Sequence, residues 1–342
     1  MICAQAMDTI NIKNLDMFHF RDLNPHLFIG TTSDRYAGWI GQVYTAEHYE
    51  GRIKARTNRV GGEIFTEEVL PVDSVKEYFE HFPVLEIDFT FYRTLLDKSG
   101  NPTSNFHVLQ NYQRYMNETD KVILKVPQIV FAKKIRKSKV YMENEDYLNA
   151  DLFNRSFYEP AKSILGKSLA GMVFEQEYQR KDEASTAERL ASELKGFFAS
   201  VPQDDRYHVE IRTSRLLSSP LFEVLKEKGV GLVMSHWTWL PSLSEQFNRS
   251  NGAPFNSGES LVIRLLTPRG KAYSETYAAA HPFNALVDGM LHESTVRDTV
   301  NVVRAALRDG KWVYLLVNNR FGGNAPLVAF EIIQQWEKAS HG

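Results

Sequence analysis

Cysteine is almost missing from this chain. The single thiol, Cys3, excludes an internal disulfide and any zinc site built from several thiolates. Charge of one sign is missing too: 40 Lys and Arg against 42 Asp and Glu leave a net charge of -2. That balance excludes a generally basic coat for nucleic acid and leaves only a local patch open. No apolar run is long enough to span a membrane. The opening residues carry no basic region, and Asp8 ends their apolar run too early for a signal peptide. A cytoplasmic protein with no membrane partner is the reading. HxH and HExxH spacings, internal repeats and low-complexity segments are absent as well.

What is present is an alternation of short apolar runs with helical stretches. Residues 1–24 hold no persistent period and read as an N-terminal extension; 25–340 read as one domain. Strands are expected at His26–Gly30, Val84 onward, Val122–Val126, Ala170–Phe174, Tyr207–Arg212, Val230–Met234, Leu261–Leu266 and Trp312–Val317. Helices are expected at Val75–Phe82 with Asp73 or Ser74 as cap, Ser104–Met116, Tyr158–Leu165, Thr186–Phe198, Leu221–Lys228, Phe283–Arg308 and Ala325–Lys338 with Asn324 as cap. Such alternation with no linker between halves predicts an α/β fold, a TIM-like (β/α) barrel in a single domain.

The polar residues sit at strand ends. In Val84-Leu85-Glu86-Ile87-Asp88-Phe89-Thr90, period two puts Glu86, Asp88 and Thr90 on one face. The same alternation places Lys125, Glu210, Arg212, Arg264 and Asn318 inside the barrel, with His208 on the face of Glu210. Three carboxylates then meet three cations. One outcome is a buried ion-pair network; the other is a site, since polar groups at the C-terminal ends of barrel strands usually serve function. Lys133, Lys134, Arg136, Lys137 and Lys139 form the densest basic run, expected as a loop after the third strand.

Several of these stretches together resemble the YecE-like family, a TIM-barrel domain of unknown function. They are Ile29-Gly30-Thr31-Thr32-Ser33 with Gly38-Trp39, Glu86-Ile87 with Thr90-Phe91-Tyr92-Arg93, and Lys125-Val126-Pro127. Val209-Glu210-Ile211-Arg212, Ile263-Arg264-Leu265, and Asn318-Asn319 with Gly323 and Ala325-Pro326 complete the set in family order. The resemblance implies the fold and assigns no activity. The chain departs from the family at Asp88, usually Asn; at Thr213, Leu266 and Asn324, each usually His; and at Arg320, usually Asp.

Three kinds of function fit the pattern. A binding protein for a phosphate-bearing small molecule or nucleic acid would use Tyr92, Arg93, Lys125, Arg212 and Arg264, because arginine matches phosphate in bidentate geometry. Tyr36, Trp39, Phe91, Tyr92, His236 and Trp237 would stack bases at the mouth. An anion cradle is expected from Asn318, Asn319, Gly322 and Gly323 at the N-terminus of the last helix, beside Arg320. A hydrolase would use Glu86 and Glu210 as its catalytic carboxylates, in a glycosidase-like pair or with a metal. No resident metal site and no cofactor are expected, since Glu86, Asp88, Glu210, His208 and His236 lack ligand spacing. Nothing in the sequence sets an oligomeric state.

Overall fold

A computed structural model describes residues 17–137, 140–180, 185–252 and 254–340. Eight parallel strands close into a barrel. They are β1 (Leu27–Thr31), β4 (Val84–Ile87), β5 (Lys121–Lys125), β8 (Leu169–Gln176), β9 (Tyr207–Ile211), β10 (Gly231–His236), β11 (Ser260–Leu265) and β12 (Trp312–Val317). β1 closes the ring by pairing with both β12 and β4. That last seam is tight: a Cβ on Gly30 would lie 1.9 Å from Val84 O, so only glycine fits there.

The barrel interior is built in two layers by the period of two. Val84, Ile123, Val173, Val233, Val262 and Leu316 form a small apolar cluster apart from the main core. Two residues further along the same strands come Glu86, Lys125, Glu175, Ser235, Arg264 and Asn318. On these six strands the inward positions therefore turn from apolar to polar at one height, toward the C-terminal mouth. On β9 the lower inward residue is His208, whose ring bonds Arg206 O at 2.9 Å and Ser260 Oγ at 3.1 Å. It is a buried plug among satisfied partners. Outward residues such as Leu85, Leu124, Phe174, Val209 and Ile263 join the large core under the helices.

Several expectations change. The predicted helix at 283–308 is shorter, Glu293–Arg308, and a separate helix, Tyr273–Ala280, precedes it. Pro282 and Gly289, the latter at φ 72°, keep the intervening chain out of a helix. Ser74 makes no side-chain cap for Val75–His81, because Val72–Ser74 already forms a 3-10 turn, and Asp73 instead pairs with Arg52 at 2.7 Å. Asn324 does cap Ala325–Ser340, its Oδ1 accepting from Leu327 N at 2.9 Å.

Two antiparallel hairpins interrupt the barrel plan: β2 (Lys54–Val60) with β3 (Glu63–Val69), and β6 (Lys134–Lys137) with β7 (Val140–Glu143). Lys134–Lys137 of the basic run thus form a strand of a hairpin, not a loop. Lys133 pairs with Glu193 at 2.7 Å and Lys134 lies 3.7 Å from Glu143. The side chains of Arg136 and Lys137, and all of Lys139, lie outside the described residues, as does Cys3. Of the stretch before residue 25, Phe20 is buried and stacks on Phe82 at 4.7 Å. Arg21 beside it pairs with Asp120 at 2.9 Å. Among the described residues no helix is long and apolar enough to cross a membrane.

Candidate functional site

The polar layer is a single ion-pair network centred on Arg264. Its Nε and Nη2 donate to the two carboxylate oxygens of Glu86, at 2.7 and 2.6 Å. Nη1 donates to Glu210 and reaches Glu175 at 3.4 Å. Arg212 joins Glu175 at 2.9 Å and Glu210 at 3.2 Å, and Lys125 joins Glu175 at 2.5 Å. Ser235 adds a hydroxyl to Glu210 at 2.9 Å. Three carboxylates and three cations balance, as the sequence suggests, but the third carboxylate is Glu175 rather than Asp88.

Electrostatics follow from this crowding. Burial alone would raise Glu175, yet Arg212, Lys125 and Arg264 together hold its carboxyl well below the usual range. Burial pushes Glu86 up, against the pull of Arg264 and Lys125. Burial works against the charge on Arg264, but Glu210, Glu86 and Glu175 raise its pKa further than burial lowers it. Both oxygens of Glu86 are occupied and both Glu86 and Glu210 are closed off from solvent. Neither is presented as a nucleophile or acid toward the mouth, so the network explains these residues as structure.

Asp88 leaves the barrel interior because β4 ends at Ile87. Asp88 adopts helical dihedrals at the head of the 3-10 turn Phe89–Phe91, and Thr90 Oγ1 ties that turn to Lys125 O at 2.7 Å. The carboxyl of Asp88 has no hydrogen-bond partner among the described residues. It faces a cavity of about 120 Å³ lined by Asp34, Arg35, Tyr36, Arg56, Glu67 and the floor residue Glu86. Burial raises the pKa of Asp88 above the usual carboxylate value, against Lys125, Arg320, Arg56 and Arg35. Burial likewise pushes Asp34 up to about 6, opposed by Arg35 and Tyr112. Asp34 lies in a loop with no period, so no sequence pattern selects it.

At the last helix the expected anion cradle is not formed. Asn319 Oδ1 accepts from Ala325 N at 2.8 Å and from Trp39 Nε1 at 3.1 Å. Gly323 N donates to Asn319 O at 2.6 Å, and Val287 N covers Gly322 O at 2.8 Å. With Asn324 on Leu327 N, the first donors of the helix are already taken. The glycines are needed for close packing: a Cβ on Gly322 would lie 2.5 Å from Val328, and Gly323 has φ 110°. Asn318 crosses to Thr32 Oγ1 at 2.6 Å. Thr213 and Leu266 are buried; Thr213 holds Gln179 N at 3.0 Å.

Above the network, the mouth is cationic and aromatic. Lys125 Nζ lies 3.9 Å over the ring of Phe91, Arg212 5.1 Å over Trp237, and Arg320 4.3 Å over Tyr273. Four large aromatics at this end stand exposed: Tyr92 at 72%, Trp239 at 55%, Tyr273 at 50% and Tyr178 at 44%. They follow β4, β10, β11 and β8. Of the aromatics selected from sequence, Phe91, Tyr92 and Trp237 are here. Trp39 is buried against Tyr44, and Tyr36 packs between Trp39 and Phe283 at 5.1 and 5.2 Å. His236 points outward, packed on Phe321 with Nδ1 2.8 Å from Thr267 O. Arg93 is exposed beside Ser104. Tyr178 and Trp239 carry no periodic signal because they stand alone in loops, and Tyr273 opens a helix that the sequence pattern does not mark. Among the described residues, no group of three His, Cys, Asp or Glu side chains is placed to hold a metal ion.

A family model described as a protein of unknown function, DUF72, matches residues 28–342. Among solved structures, a DUF72 family protein from Thermotoga maritima is 16% identical, with 91% of this chain and 99% of that chain covered at a TM-score of 0.53. One from Enterococcus faecalis is 14% identical, covering 91% and 95% at 0.53. At such identities the likeness concerns the fold alone. No curated protein matches the chain.

Proposed function

Since the chain belongs to the DUF72 family, whose function is unknown, we propose from the mouth itself that it binds a phosphate-bearing ligand there, a single-stranded nucleic-acid segment. The observation that carries this reading is the set of four exposed aromatics around cations that already sit on aromatic faces. Tyr and Trp are enriched where a partner docks, and bases stack on such rings irrespective of sequence. Arg212 is the phosphate contact: Nε and Nη2 serve the carboxylates, and its other terminal nitrogen has no partner among the described residues. Arg320 adds a second, its buried Nε lacking a hydrogen bond. Lys134, beside Tyr178 at the edge of the mouth, extends the positive rim.

The net charge of -2 fits a local site better than a nonspecific coat. Arg264, by contrast, is held by three carboxylates and serves the ligand only by positioning Arg212 through Glu210 and Glu175. The test is quenching of Trp237 and Trp239 fluorescence on titration with a single-stranded hexanucleotide. Saturable quenching that weakens about tenfold in Arg212→Ala is expected, the size of one lost charged hydrogen bond. No quenching at millimolar oligonucleotide contradicts the reading.

A further inference from the structure

The cavity between Asp34 and Asp88 has no role in that reading so far, and its polar atoms are unused. Asp34 is 8% exposed. Its Oδ1 accepts from Tyr112 at 2.8 Å, while its buried Oδ2 has no partner. Arg35 Nε is also buried and without a hydrogen bond, 3.8 Å from Asp34 Oδ1. Asp88 stands opposite with both oxygens unserved. The buried Asp34 Oδ2 and Arg35 Nε left in this state cost free energy that a ligand would recover, while the half-buried Asp88 is open to a partner from the cavity. Arg35 is also held at φ 60°, a left-handed backbone that a non-glycine residue adopts only under constraint.

The outer wall is the inserted hairpin β2–β3, and it does not compete for these atoms. Arg56 and Glu67 pair with each other at 2.9 Å, and Glu67 also receives Asn58 and Tyr277. On the other side Asp88 opens the 3-10 turn Phe89–Phe91 that leads to Tyr92 at the mouth. The cavity and the mouth therefore adjoin along that turn.

The unused atoms are Asp34 Oδ2, the two oxygens of Asp88 and the Arg35 Nε–H. An ammonium group would serve the carboxylates and leave Arg35 bare. Neighbouring hydroxyls serve both, each donating to a carboxylate and accepting from an N–H. The space of about 120 Å³ holds roughly four waters, the scale of a small hydroxylated ring. We infer that this cavity receives ribose hydroxyls of the strand bound at the mouth, and that the ligand is single-stranded RNA rather than DNA. The inference rests on the mouth reading above. The 2′-hydroxyl is the group by which a protein distinguishes the two.

The experiment is binding of RNA and DNA hexamers of one sequence by the full chain, followed by anisotropy. RNA is expected to bind about tenfold tighter than DNA, as one charged hydrogen bond supplies. In Asp34→Asn and in Asp88→Ala the ratio falls toward one, with the loss on the RNA side. Asp34→Asn keeps the buried shape, and Asp88→Ala removes a side chain with no protein partner, so at least one variant remains folded for measurement. Equal affinity for RNA and DNA in the wild type, or a ratio that survives both substitutions, overturns the ribose site while leaving the mouth intact. Failure of both hexamers to bind overturns the mouth reading and this inference together.

Discussion

Arg264 grips Glu86 through two parallel hydrogen bonds of 2.7 and 2.6 Å, joining strands 178 residues apart. The same guanidinium reaches Glu210 and Glu175, so one side chain touches all three members of a buried carboxylate triad. A fork of five fixed donors can do this; an ammonium cannot meet the same geometry.

Removal of that fork should unfold the barrel rather than merely silence it. Arg264→Ala leaves three buried carboxylates facing only Lys125 and Arg212, and breaking one buried pair typically costs about 3–5 kcal/mol. Urea unfolding should show a loss of at least that size, with Arg264→Lys recovering only part of it. A midpoint unchanged in Arg264→Ala would contradict the structural role assigned here.

Glu175 should make the barrel acid-sensitive. Its folded pKa lies below the ordinary value of 4.5, so its contribution is present above that pH and is lost as pH falls toward the depressed value. Glu175→Gln removes it, so wild type and variant should differ most near neutrality and converge on acidification. A stability gap that stays constant from pH 7 downward would contradict this assignment.

Asp34 has the opposite sign. Its folded pKa of about 6 lies above the ordinary 3.8, so the native state favours the protonated carboxyl. Stability relative to an isosteric amide is complete below the ordinary value and is lost as pH rises through about 6. Asp34→Asn should therefore stabilise the protein at pH 7, by up to about 3 kcal/mol for a shift of this size, and leave it unchanged below about pH 4. Unfolding curves at the two pH values decide it; destabilisation at pH 7 is the contrary result. A site residue whose replacement stabilises is the signature of a group kept for binding.

How much of this was legible follows from which residues carry a period. β12 can be read to the residue because six apolar side chains stand between Gly310-Lys311 and Asn318. Lys125, Glu210, Arg212 and Arg264 follow from alternation, and they do meet. Glu175 obeys the same rule two residues after Val173, but the apolar run ends at Phe174 and hides the last two residues of β8. Asp88 is misplaced by alternation because the 3-10 turn bends the chain after Ile87. The hairpins have largely exposed faces, so apolar spacing does not mark them. Asp34, Tyr92, Tyr178 and Trp239 lie outside regular elements, where position is set by tertiary contacts alone.

The basic hairpin should contribute charge rather than recognition. Lys134→Ala is expected to lower the salt slope of oligonucleotide binding by about 0.7, the value for one phosphate on a single strand. Affinity should fall equally for all sequences. An unchanged slope would leave Lys134 outside the ligand's path.

The central claim is that the exposed ring of aromatics holds bases, and one comparison tests it most directly. Anisotropy of a labelled single-stranded hexamer should be measured with the wild type and with Tyr92→Ala/Trp239→Ala at the same salt. Both side chains are largely exposed, so the double variant should keep the wild-type melting temperature. Stacking is worth about 1–3 kcal/mol per base, so affinity should fall at least twentyfold. Equal affinity in the two proteins would contradict the account.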